Sequence, residues 1–328
     1  MRRVRLFAAL GVALAVAAGA AAVLAIRGAG RARPGPKRVV AIFKETDPSN
    51  AFWNSVRSGM ESGAQDFGFE VSFLAPGDET AIDEQIGILR RIVEDRPAAV
   101  LLSASDVRLL IKPVREAKAA GIKVVCVDSF IESEDADAMV GTDNFEAGQR
   151  CGTALLSRLP AGARVAMMSY VRGSSTAIGR ERGFRTAIGD RATIASTTYS
   201  GSEENAAYEQ ARAALSSASP PPDGIAALNL PTLLGAARAR AESGLAGSVV
   251  LVGVDSSPEI AKHLERGVIK DVIVQKPFNM GYISMQIVRD LLAGKRPPRY
   301  VNTGSADINK ANMFDPANQK LLFPVSSP

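Results

Sequence analysis

The chain has 328 residues, a formal net charge of +5, 46% hydrophobic and 22% charged residues, one histidine and two cysteines. That composition excludes a disordered chain and a disulfide-framed miniprotein, and a single histidine excludes a multi-histidine metal site. Six arginines and no acid fall in residues 1–33, so the rest is near neutral and offers no basic face to nucleic acid.

Arg2, Arg3 and Arg5 precede an uncharged run from Leu6 to Ile26, and Arg27, Arg31 and Arg33 follow it among Gly and Pro. A positive start, an apolar stretch and small residues around Ala20 and Ala22 have the form of a secretory signal. The run also reaches the roughly 20 apolar residues that a bilayer span needs. A cleaved signal and an uncleaved membrane anchor both stay open, and both place the body outside the cytoplasm.

Beyond residue 36, strand-like and amphipathic segments alternate, the pattern of a parallel α/β sheet. Strands are expected at 38–43, 69–74, 98–102, 122–127 and 138–141, with helices at 51–67, 81–94 and 107–119 between them. The scheme then repeats. Strands fall at 164–168, 193–199, 224–228, 248–254 and 271–274, and helices at 177–188, 203–217, 231–243, 258–266 and 279–292. Pro231 and Pro258 stand where a first helical turn tolerates proline. The fold class is therefore α/β, with two similar Rossmann-like lobes. Cys126 and Cys151 lack ligand spacing and are expected as buried free thiols.

No catalytic constellation emerges. His263 lies between Lys262 and Glu265 and reads as a solvated helix residue, and neither a GxGxxG nor a GxxxxGK[ST] segment is present. The Gly173-Ser174-Ser175-Thr176 turn could present N–H groups to an anion, though such a cluster is more often a loop and a helix cap. What stands out is where the strands stop. VVCV runs into Asp128, IAAL into Asn229, VLVGV into Asp255 and VIV into Gln275, while Asn50-Ala51-Phe52-Trp53 follows the first strand. Open α/β sheets bind ligands beyond the carboxyl ends of their strands. Aromatic rings match the C–H face of a sugar, and carboxylates, amides and guanidinium groups match its hydroxyl rim. The bland alternatives are core packing for one of Phe52 and Trp53, and helix capping for Asp128 and Asp255.

NAFW at 50–53, AAGIKVVCVDS at 119–129, GTDNFEAG at 141–148, GRERGF at 179–184, VGVDSSPE at 252–259 and VQKPFNMGY at 274–282 occur in this order. In that order and spacing the body, from about Lys37 to Pro324, resembles the periplasmic sugar-binding proteins related to ribose-binding protein, which share their fold with LacI-type effector domains. The resemblance implies lobes of 37–143 with 276–303 and of 144–275 with 304–328, joined by a three-crossover hinge. It implies ligand contacts at Asn50, Phe52, Trp53, Asp128, Arg182, Asn229, Asp255 and Gln275, with Lys44 and Ser103 as further contacts. Two departures bear on the ligand: Ser129 stands where ribose binders have Arg after Asp, and Glu203 aligns, to within a residue or two, with their aromatic from the second lobe. The implied role is capture of a monosaccharide or polyol, without cofactor or catalysis, for an ABC permease. The alternative is delivery of occupancy to a membrane sensor. A repressor would need a helix-turn-helix where the apolar segment lies.

Overall fold

The computed structural model describes residues 36–217, 220–244 and 248–323. The expected signal or anchor at residues 1–33 lies outside them. No helix among the described residues is long and apolar enough to cross a membrane.

In the first lobe β1 (Lys37–Ile42), α1 (Ala51–Phe67), β2 (Phe69–Leu74), α2 (Ile82–Asp95), β3 (Ala99–Leu102), α3 (Ile111–Ala119), β4 (Lys123–Val127) and β5 (Ala138–Gly141) follow one another. The second lobe opens with α4 (Asn144–Leu156), β6 (Ala163–Ser169), α5 (Ser175–Ile188), β7 (Ala192–Tyr199) and α6 (Glu204–Ser217). It continues through β8 (Gly224–Ala227), α7 (Leu230–Glu242), β9 (Val250–Val254), α8 (Pro258–Glu265) and β10 (Asp271–Gln275). The chain then returns to the first lobe with α9 (Pro277–Leu292), packed on α1, and β11 (Tyr300–Asn302), paired with β5. It ends in the second lobe with β12 (Ser305–Asn309) and α10 (Pro316–Leu322). The elements α4, β11, β12 and α10 add to those expected from the sequence.

The two six-stranded sheets have the orders β11-β5-β4-β3-β1-β2 and β12-β10-β9-β8-β6-β7, the same order shifted by five for all but the first strand. Pairing is parallel throughout except at that edge, where β12 runs antiparallel to β10 with Asp271 opposite Asn309. The central strands are apolar on both faces because helices cover both, the usual consequence of βαβ crossovers.

Two helix pairs repeat one contact. A Cβ on Gly59 or Gly281 would lie 2.1 or 2.0 Å from a carbonyl oxygen across the α1–α9 interface, and one on Gly148 or Gly183 at 2.1 or 2.0 Å across α4–α5. Only glycine allows backbones this close. The second pair matters for function, because it sets the depth at which α5 carries Arg180.

Candidate functional site

The carboxyl ends of both sheets face one cavity of about 40 Å³. Small-molecule sites hold roughly 300–1,000 Å³, so a ring-sized ligand enters only when the facing walls part. Eight of the eleven residues expected from the sequence line it: Lys44, Asn50, Phe52, Trp53, Asp128, Asn229, Asp255 and Gln275.

Each is placed by the end of an element. Asn50 caps α1, its Oδ1 accepting from the N–H groups of Phe52 at 3.0 Å and Trp53 at 3.4 Å, while its Nδ2 donates to Glu45. Asn229 caps α7 in a reciprocal box with Thr232. Trp53 stacks on Phe43 at 5.0 Å and meets Phe52 edge-on at 5.0 Å, so it belongs to the core while Phe52 is only partly buried. Asp128 and Asp255 end β4 and β9 with φ of 66° and 81°, a left-handed backbone that Asp tolerates better than most residues.

Two ion-paired groups organise the cavity. Lys44 Nζ lies 3.0 Å from Glu79 Oε1 and 3.2 Å from Asp128 Oδ2, and donates to Ser174 Oγ at 3.1 Å. Burial disfavours its charge, but Glu79 and Asp128 outweigh burial and hold its pKa above the ordinary lysine value. On the other side Arg180 donates to Asn144 Oδ1 at 2.8 Å and to the Leu228 carbonyl at 2.6 Å, with Nη1 3.6 Å from Asp255 Oδ2. Asp255 also accepts from Leu230 N at 3.1 Å and Gln275 Nε2 at 2.6 Å. Burial raises its pKa, and Arg180 and Gln275 pull it partly back.

Three expected residues lie elsewhere. Arg182 is exposed on the far side of α5, its guanidinium 4.9 Å from the Phe145 ring in a separate groove; the arginine in the cavity is Arg180. Two residues turn a helix by roughly 200°, so only one of the two arginines in GRERGF can face inward. Glu203 is exposed in a depression beside the cavity mouth, and Ser202 lines the cavity in its place. Ser103 is buried but does not line the cavity; its N–H donates to the Ile42 carbonyl at 2.9 Å. Sequence reasoning also missed Glu45, Glu79, Tyr170 and Thr176, which line the cavity from loops and helix starts.

The Gly173–Thr176 turn faces the other lobe. The Gly173 carbonyl accepts from Val107 N at 3.0 Å, Ser175 Oγ from Phe130 N at 3.0 Å, and Ser174 Oγ from Lys44. Both cysteines are buried and free, with thiols pushed up to about 12 by burial. His263 is more enclosed than expected: its side chain is 14% exposed beside Glu259. No group of residues fit to hold a metal occurs among the described residues.

Comparison with known proteins shows the family and the fold. Residues 43–296 match the periplasmic binding protein domain. The chain is 25% identical over 272 residues to the D-ribose/D-allose-binding protein of Pseudomonas aeruginosa, covering 80% of this chain and 85% of that one. It is 23% identical to the ribose import binding protein of Bacillus subtilis, over 77% of this chain and 82% of that one. An ABC transporter solute-binding protein of Agrobacterium vitis, solved with bound D-fucose, superposes with a TM-score of 0.83 at 28% identity, covering 87% of this chain and 99% of that one.

Proposed function

The chain belongs to the periplasmic binding protein family, and on that premise we propose that it is an extracytoplasmic solute-binding protein. It captures a monosaccharide or sugar-like polyol between its lobes and presents it to the permease of an ABC importer. The observation that carries this reading is the convergence of Asp128, Asp255, Arg180, Asn229 and Gln275 from both sheets on one cavity beside Phe52 and Trp53. Asp128 and Asp255 accept from ring hydroxyls, Arg180 donates, and Asn229 and Gln275 supply amide groups. Phe52 covers the apolar face of the ring, with Trp53 packed edge-on against Phe52. The relatives named for ribose and allose, and the structure holding D-fucose, support a sugar as the solute.

The lobes move as 37–143 with 276–303 against 144–275 with 304–328, hinged where the chain crosses between sheets. Ligand contacts from both lobes exist together only in the closed form, so binding favours closure. A thermal-shift series of the full chain against monosaccharides and polyols tests the reading. A ligand at 100 times its Kd adds about 2.7 kcal/mol of stability and raises Tm. A series in which no member raises Tm overturns it.

A further inference from the structure

We propose that the solute is an amine-bearing sugar, its ammonium held between Glu45 and Glu79 at one end of the cleft. This rests on the sugar-binding reading above and narrows it to a chemical class.

The argument starts from the charge lining the cavity. Four carboxylates, Glu45, Glu79, Asp128 and Asp255, face two cations, Lys44 and Arg180. Arg180 lies beside Asp255, and Lys44 is shared between Glu79 and Asp128. One Lys cannot neutralise two carboxylates, and among the described residues Glu45 accepts from the Asn50 amide alone. An excess of negative charge in a partly desolvated cleft is costly unless a cation meets it. The amino ends of α1 and α7 add partial positive charge at the rim, but Asn50 and Asn229 already occupy their first amides.

A second observation is independent of the carboxylates. Gln275 is 2% exposed and lines the cavity, its Nε2 donates to Asp255, and its Oε1 has no partner among the described residues. The carboxylate fixes the amide orientation, because a flipped amide would set two acceptors against each other. Oε1 is therefore an unpaired acceptor in a residue of the cavity wall, one that a ligand donor would satisfy once the walls part to admit it. The two cations of the wall already have partners, Lys44 in Glu79, Asp128 and Ser174 and Arg180 in Asn144, Leu228 and Asp255. A hydroxyl brings one proton to such a wall; an ammonium brings three and a charge.

The electrostatics of Glu45 agree. Burial and the neighbouring Glu79 push its pKa up to about 7. An incoming ammonium replaces that proton, which leaves to solvent, and Glu45 becomes the ligand's counter-ion.

The test is calorimetric titration of the full chain at pH 7 with 2-amino-2-deoxy-D-glucose, 2-amino-2-deoxy-D-galactose and 6-amino-6-deoxy-D-glucose, each against its neutral parent. At least one amino sugar is expected to bind about tenfold or more tightly than its parent, the scale of a close charge pair. Glu45→Gln is expected to remove most of that preference, read as the ratio of amino-sugar to parent affinity within the same variant. Because Glu45 is only half-buried and has no ion pair among the described residues, this variant folds even if Glu79→Gln does not. Neutral parents that bind as tightly, or a preference that survives Glu45→Gln, overturn the amine class alone. So does a chain that binds D-ribose or D-fucose but no amino sugar. Silence toward every sugar overturns the underlying reading instead.

Discussion

Asp128 and Asp255 occupy the same place in the two sheets. Each follows the third strand of its sheet's order and each has a left-handed backbone. Each N–H donates at 2.9 Å to the neighbouring strand, to Val140 and Ile273 respectively. The repeat puts two carboxylates on facing walls of one cavity, and their surroundings then separate them. Asp128 faces Lys44, which keeps Glu79 as a second partner, whereas Asp255 gathers Arg180, Gln275 and the start of α7.

Loss of these carboxylates is therefore expected to differ in cost. Asp255→Ala leaves Arg180 buried without its carboxylate and destabilises by about 3–5 kcal/mol. Alanine in a left-handed backbone adds about 1–2 kcal/mol. Asp128→Asn keeps a residue that tolerates that backbone and leaves Lys44 with Glu79, so it costs about 1.5–3 kcal/mol. Urea denaturation of the two variants beside wild type gives the order directly; equal costs contradict the assignment of partners.

Much of this was legible in the sequence. The rhythm of apolar runs located the paired sheets, the polar residue after a run located Asp128, Asn229, Asp255 and Gln275, the Asn50–Trp53 segment gave three more side chains of the cavity, and the family resemblance added Lys44. Arg180 was legible too, though it was misread. Ala177, Arg180, Phe184 and Ile188 share one helical stripe and are all buried, whereas Arg182 lies off it. That spacing marks Arg180 as the inward arginine. Glu79 carried no signal, since a Gly-Asp-Glu-Thr loop reads as an ordinary turn and only the fold sets it beside Lys44. β11 and β12 read YVN and SADIN and lack the apolar run that marked even the four-residue β3 and β8.

The Gly173–Thr176 turn predicts a conformational effect. Its bonds to Val107, Phe130 and Lys44 join the lobes independently of any ligand. Ser174→Ala with Ser175→Ala removes two of them and shifts the ensemble toward an open form. Small-angle scattering is expected to give a larger radius of gyration for the double variant, with ligand affinity reduced about tenfold or more, from two net hydrogen bonds of about 0.5–1.5 kcal/mol each. An unchanged radius with unchanged affinity contradicts this role.

Glu45 predicts a pH dependence. Its folded pKa, about 7, lies above its ordinary value of 4.5, so the folded chain holds a proton there that the unfolded chain releases. Stability from this group is fully present below about 4.5 and is lost as pH rises through about 7. The raised pKa of Asp255 contributes a loss of the same sign. Thermal melts between pH 4.5 and 7.5 are expected to show a smaller fall in Tm for Glu45→Gln than for wild type. Parallel Tm curves contradict the assignment.

The most direct test titrates wild type, Arg180→Ala and Arg182→Ala in parallel with the tightest-binding sugar of the panel. Arg180 donates into the cavity wall and pairs with Asp255, whereas Arg182 sits over Phe145 in another groove. One-to-one binding by wild type and Arg182→Ala, with a loss of about a hundredfold or more in Arg180→Ala, is the predicted result. Binding by Arg180→Ala as tight as wild type, or a comparable loss in Arg182→Ala, contradicts the account.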